Sequence, residues 1–241
     1  MKTILHITKR EFSSYINTTW GISIFVIILI LDGILFNSFS LGSEPRYSAD
    51  VLEDFFYFSS GTTMIAGILL TMRLLAEERQ TGTESLLLTA PITDFQRIFG
   101  KFLGAFLFLS LITISTLYMP LFIQINGKVS WGQIFAGYLG LSLLGATTTS
   151  IGTFASALAK NQLFAAVLGG GILMFFLLGW LLGDVSSSPL SEIFSYIAIF
   201  DKHFQPFMTG KINLESIFFY ASISTAFLIL ATRISETRRQ L

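Results

Sequence analysis

The sequence predicts an all-α polytopic membrane protein with six transmembrane helices. An N-terminal interfacial amphipathic helix comes first, a short cytoplasmic helix lies between spans two and three, and re-entrant external helices lie between spans five and six. Three observations carry this. Of the 241 residues, 52% are hydrophobic and only 12% charged, against about 25% charged in soluble domains. Mean hydropathy is +0.69. Several apolar runs each reach the roughly 20 residues that cross a bilayer, more than one soluble core can hold.

The elements follow in order. In residues 1–19, Ile4, Leu5, Ile7, Phe12, Tyr15 and Ile16 fall on one half of a helical wheel. Lys2, His6, Lys9 and Arg10 fall on the other, the pattern of a helix lying in the interface. The stretch is too polar for the apolar region of a signal peptide, so a retained N-terminus is expected. Spans are predicted at about 20–40, 57–76, 100–124, 132–157, 162–183 and 214–232. With no internal repeat and no low-complexity linker, residues 1–241 read as a single transmembrane domain.

Six crossings return the C-terminus to its starting side. Eleven of the fifteen Lys and Arg residues then share a side with the termini: Lys2, Lys9, Arg10, Arg73, Arg79, Arg97, Lys101, Lys160, Arg233, Arg238 and Arg239. Only Arg46, Lys128, Lys202 and Lys211 lie opposite, which places both termini in the cytoplasm. Asn126-Gly127 predicts a tight external turn and antiparallel neighbours. The stretch from Asp184 to Asn213 is unusually apolar for an external loop, with "LSEIFSYIAIF" and "HFQPFMTG". Either short helices dip back into the outer leaflet or a surface helix caps the bundle.

Chemistry is scarce. There is no cysteine, and the isolated His6 and His203 have no metal-ligand spacing. No phosphate-binding loop is present, since Gly100-Lys101 is followed by Phe102, and neither an intramembrane Ser/His pair nor H-E-x-x-H is visible. Gly100/Gly104, Gly179/Gly183 and the run Gly169-Gly170-Gly171 read as close helix packing. Asp32 is the one deeply placed acid, about twelve residues into the first span. It is a candidate path or dimer residue, or equally a structural acid bonded to Ser or Thr. Ser59, Ser60, Thr62, Thr63, Thr147 to Ser150 and Thr153 line a path or bond back to helix carbonyls, the second being the commoner fate.

The densest charge cluster opens "LLAEERQTGTESLLLTAPITDF", Leu74 to Phe95. Glu77, Glu78 and Arg79 carry the second helix beyond the hydrocarbon, and Gly82 ends it. Thr81 or Thr83, with Glu84, caps a short helix bearing Leu86, Leu87 and Leu88, and Pro91 stops it. Thr93-x-x-Gln96 is a second capping box leading into the third span. Exposed leucines on a short helix suit a docking element, or a helix that re-enters the membrane surface.

This segment resembles the signature of ABC-2 type permeases, the transmembrane subunits of ABC transporters, in which acids, Gly, a Leu pair, Thr and Pro recur in the order of "EERQTGTESLLLTAPI". "KREFSSYINTTWG" is similar to the start of that family. "FDKHFQPFMTGKINLESIFFY" with the terminal "SETRR" resembles its gliding-motility and copper-site-maturation subgroup. The resemblance implies a multi-pass inner-membrane protein that pairs with a second permease copy or paralogue and with two separate ABC ATPase subunits. It is then no enzyme by itself, binding no cofactor or metal directly, with ATP and Mg held by those partners. Coupling to the ATPase would fall to Glu77, Glu78, Arg79, Gly82, Thr83, Glu84, Leu86, Leu87, Leu88, Thr89 and Pro91. Membrane lipids and envelope auxiliary proteins are further expected partners, and nucleic acid is not. One deep charge favours an amphipathic, lipid-linked or peptide-like cargo, exported; an ATP-driven assembly scaffold and an ion-coupled carrier are the alternatives.

The six-span topology is checked by cysteine accessibility. Ser187→Cys is expected to react with an impermeant thiol reagent from outside the cell, and labelling from the cytoplasm alone would sink the topology.

Overall fold

A computed structural model describes residues 2–42, 46–83 and 92–239 of the chain. All regular elements among them are helical, with no strand. Helix α1 spans Lys2–Asn17. Helix α2, Thr19–Leu35, continues as a π-helical turn over Phe36–Leu41. Helix α3, Ser48–Thr71, starts well before the expected span and is followed after a break by α4, Ala76–Gln80. Then come α5 (Asp94–Ser115), α6 (Tyr118–Asn126) and α7 (Trp131–Leu158). Helices α8 (Gln162–Leu177) and α9 (Gly179–Val185) meet at a bend of 47°. After them lie α10 (Leu190–Ile197), a π-helical turn over Ile199–Phe204, α11 (Gln205–Met208) and α12 (Leu214–Arg239). Among the described residues five helical stretches are long and apolar enough to cross a membrane, and six if the bent α8–α9 pair counts as one.

Helices α3 and α7 form the centre. Two-thirds of the apolar window of each is buried, against 22% for α2, which leaves Ile22, Ile27, Ile30 and Ile34 on the outside. In a bilayer, leaving lipid for protein yields little hydrophobic gain, so close packing must hold the pair. Small residues permit that approach: a Cβ on Gly67 would strike Thr148, and one on Gly152 would strike Thr71. The hydroxyls of Thr147, Thr148, Thr149, Ser150 and Thr153 all donate to carbonyls within their own helix. They are ladder-bonded groups of a packed helix.

The stretch between α9 and α12 has two parts, one lying along a neighbouring helix and one folded into the bundle. No residue of α10 is buried, and this helix lies along α9, where Gly179 and Gly183 admit its backbone and side chains. The next residues fold back into the bundle, with Phe204 and Phe207 fully buried beneath Gly140 of α7. His203 fastens this turn: its ring stacks on Phe219 at 3.6 Å, Nε2 meets the Tyr196 carbonyl at 2.9 Å, and Nδ1 lies 3.3 Å from Ser216 Oγ. Of the glycine run, Gly169 packs against Ile68 and Ala155, whereas Gly170 and Gly171 face open space.

Between Thr71 and Ala76 the helical ladder of α3–α4 is broken, and one side chain of α7 repairs it. Ser156 Oγ accepts from the amides of Leu75 (3.0 Å) and Ala76 (3.1 Å) and donates to the Met72 carbonyl (3.1 Å). A side chain inserted into the ladder is a recognised cause of such a break. Ser156→Ala is expected to unpair two buried amides at about 1–3 kcal/mol each, read as a lower unfolding midpoint of the purified protein, whereas an unchanged midpoint would show the break to be held by other contacts.

Candidate functional site

The helix break opens onto a junction where α1, α4, α5, α7 and α12 meet. Helix α1 reaches it by packing on α5. Gly100 and Gly104 face Ile7 and Glu11 at distances that leave no room for a Cβ, and Thr8 Oγ1 donates to the Gly100 carbonyl at 3.2 Å. The inward strip of α1 is therefore Ile4, Ile7, Thr8, Glu11 and Tyr15, while Leu5 and Ile16 of the sequence-derived apolar half are exposed. Tyr15 donates to the Leu70 carbonyl at 2.7 Å. Burial, with the Glu11 carboxylate beside it, pushes the Tyr15 hydroxyl well above its ordinary range, so it stays a neutral donor.

Lys101 sits at the centre. Its ammonium donates to the Leu74 carbonyl at 2.6 Å, pairs with Glu78 at 2.7 Å and lies 3.3 Å from Glu11, with its side chain 3% exposed. Glu78 also accepts from Arg97 at 2.7 Å, and Arg97 is equally buried. The positive-inside count assigned Lys101 and Arg97 only a side of the membrane. Both are enclosed counter-ions, because the α1–α5 packing and the α3 break cover them. A buried charge is tolerated only when paired and hydrogen-bonded, and this set meets that condition.

Around this centre, other groups secure the neighbouring helices. Arg73 grips Glu77 through two bonds, Nε–Oε2 at 2.8 Å and Nη2–Oε1 at 2.5 Å, and lies over the Trp20 ring. Arg79 caps the C-terminus of α7, donating to the carbonyls of Ser156 (3.2 Å) and Ala159 (2.6 Å). Asp94, 7% exposed, accepts from Ser235 of α12 at 2.9 Å. Thr93 and Gln96 form the expected capping box at the start of α5.

Of the sequence-derived candidates, Glu77, Glu78, Arg79, Gly82 and Thr83 come together here. Gly82 takes φ +74° just past the end of α4, the left-handed cap that glycine adopts freely. Thr81 and Thr83 donate backward, to the Glu77 and Glu78 carbonyls, closing α4. Glu84, Leu86, Leu87, Leu88, Thr89 and Pro91 lie outside the described residues, and with them the short helix expected there. Asp32 lies elsewhere, 5% exposed between α2 and α3, where it accepts from Thr62 Oγ1 at 2.6 Å. Sequence reasoning passed over Glu11, Ser156 and Ser235. The acid in α1 was the one available signal, standing on the inward strip at helical spacing from Thr8 and Tyr15.

A lateral groove of about 560 Å³ opens between α2, α3, α8 and the folded-back turn, lined by Leu35, Tyr57, Ile65, Met174, Trp180 and Phe200 among others. Among the described residues no group of three or more His, Asp or Glu side chains is placed to hold a metal ion.

The profile of the family described as ABC-2 family transporter protein matches residues 5–239. The chain belongs to the ABC-2 family of transporter proteins. It is thus the membrane permease subunit of an ABC transporter and not itself catalytic. An ABC ATPase is the partner that membership in the family implies. Among curated proteins no match was found. In this permease the bonded junction stands directly before and after residues 84–91.

Replacing one member of the buried set leaves another uncompensated. Lys101→Met is expected to destabilise the permease by about 3–5 kcal/mol. In a double-mutant cycle, adding Glu78→Gln should restore part of the loss, with about 0.5–3 kcal/mol of coupling in unfolding measurements; strict additivity would deny the pairing.

Proposed function

We propose that this permease is the transmembrane part of an exporter in which residues 77–91 receive motion from separate ABC ATPase subunits and pass it to the spans. One observation supports the reading above the rest: residues 77–83 belong to a junction in which Ser156 and Lys101 bond backbone groups freed by the helix break and the buried charges of Lys101, Glu78 and Arg97 are paired. A junction bonded this way transmits displacement, since any shift of α4 pulls α1 and α5 through Glu78 and Lys101, and α7 through Arg79 and Ser156. The basic asymmetry supports an inner-membrane location with both termini and this junction in the cytoplasm. ATP and Mg belong to the ATPase subunits, and a second permease, identical or paralogous, completes the core.

The apolar lateral groove supports an amphipathic, lipid-linked or peptide-like cargo over a small ion, since its walls offer aromatic and aliphatic surface with few polar groups. The resemblance to the gliding-motility and copper-site-maturation subgroup rests on residues 200–220, which build the folded-back turn and the start of α12, and on the terminal residues 235–239. That supports a second reading, in which the same motion drives an external assembly partner.

Leu87→Asp and Glu84→Lys are expected to leave insertion intact while lowering co-purification with the ATPase, or leaving ATP hydrolysis uncoupled from export. Lys128→Ala, at the opposite end, should do neither. Normal export by both junction variants would reduce the segment to a connector.

A further inference from the structure

Beside Asp32 lies a second, much smaller cavity, which leaves about 10 Å³ for the centre of a water-sized sphere. That is room for one small species. Its polar walls are Asp32 of α2, Ser59 and Thr63 of α3, Thr113 of α5 and Thr116 in the turn before α6; the remaining lining is aliphatic. Every one of these five residues is at least 92% buried. Among the described residues no Lys, Arg or His lines the space.

The hydrogen-bond inventory shows what the cavity lacks. Thr113 donates its proton to the Leu109 carbonyl at 3.0 Å and Thr116 donates to the Thr113 carbonyl at 2.7 Å. Tyr138, 3.0 Å from Thr116, must then be the donor in that contact, so both threonines have only lone pairs left to offer. Asp32 accepts from Thr62 through Oδ1, and its other oxygen has no protein donor among the described residues. The hydroxyls of Ser59 and Thr63 likewise have no partner there, and each can turn its lone pairs inward. A carboxylate and four hydroxyl oxygens thus surround a space with a surplus of acceptors, deep in the apolar part of the bundle.

We propose that this cavity binds a single dehydrated monovalent cation of sodium size. Hard cations take oxygen ligands in place of their water, and one carboxylate neutralises one charge, which disfavours a divalent ion. A cation also removes the expense of an unpaired intramembrane carboxylate. Bound there, it would link α2, α3 and α5, while the Asp32–Thr62 bond forms the partition toward the lateral groove, which Thr62 also lines.

The test uses the purified full-length permease without ATPase subunits, so it is independent of the coupling proposal. Thermal unfolding is followed in sodium, potassium and choline chloride at equal ionic strength, together with line broadening of the sodium NMR signal. A saturable rise of the midpoint specific to sodium, with broadening that is lost in Asp32→Asn, is the expected result. Should Asp32→Asn fail to fold, Ser59→Ala and Thr63→Val keep the question open to measurement: each should raise the half-saturating sodium concentration about tenfold or more without moving the sodium-free midpoint. Equal midpoints in all three salts with no broadening would overturn the proposal. So would an infrared carbonyl band of a protonated carboxyl, lost in Asp32→Asn, in sodium-saturated buffer, because it would show a neutral acid sharing the cavity with water.

Discussion

The architecture of the junction depends on one buried ammonium. Lys101 can be enclosed only if its three donors are engaged, and the partners that engage them come from three separate places: the Leu74 carbonyl at the break, Glu78 after it, and Glu11 of α1. Each demands a structural condition. The break must exist for the Leu74 carbonyl to be available. Helix α4 must turn so that Glu78 reaches both Lys101 and Arg97. Helix α1 must lie close on α5, which the missing side chains of Gly100 and Gly104 allow. Helix α1 is thereby part of the core of this end.

The broken α3–α4 helix illustrates how irregular backbone survives at such a place. Groups left without ladder partners in an apolar bundle would each be costly, so they are met by Ser156 and Lys101. The repair also links α4 to α7, one of the two central helices, and Asp94 with Ser235 extends the connection to α12. On the proposed function, motion delivered at α4 therefore reaches α1, α5, α7 and α12 through short, mostly charged or bonded contacts.

The opposite end relies on different forces. There aromatic rings do the packing: Phe55, Phe56, Phe204, Phe207 and Tyr220 are buried together, and His203 is held within them as a stacked, bonded ring. Between the two ends lies the polar island around Asp32, whose carboxylate accepts from Thr62. Charge lock, polar cavity and aromatic cap thus succeed one another along the bundle.

Composition and apolar run length by themselves determined the class and the presence of the long apolar helices, because a bilayer admits helices of a narrow length range with their backbone bonds made internally. Local signals were equally legible: the Thr93–Gln96 capping box and the helix end at Gly82 involve residues only a few positions apart. The long-range pairings were not. Whether Lys101 and Arg97 are solvated or enclosed, which face of α1 turns inward, and which serine repairs the α3 break all depend on groups 19 to 92 residues apart being brought within bonding distance. Periodicity describes the face a helix can present but does not name the neighbour that covers it. Only the tertiary structure, by placing Glu11, Leu74 and Glu78 around one ammonium, decided that the charge-rich stretch is a bonded junction.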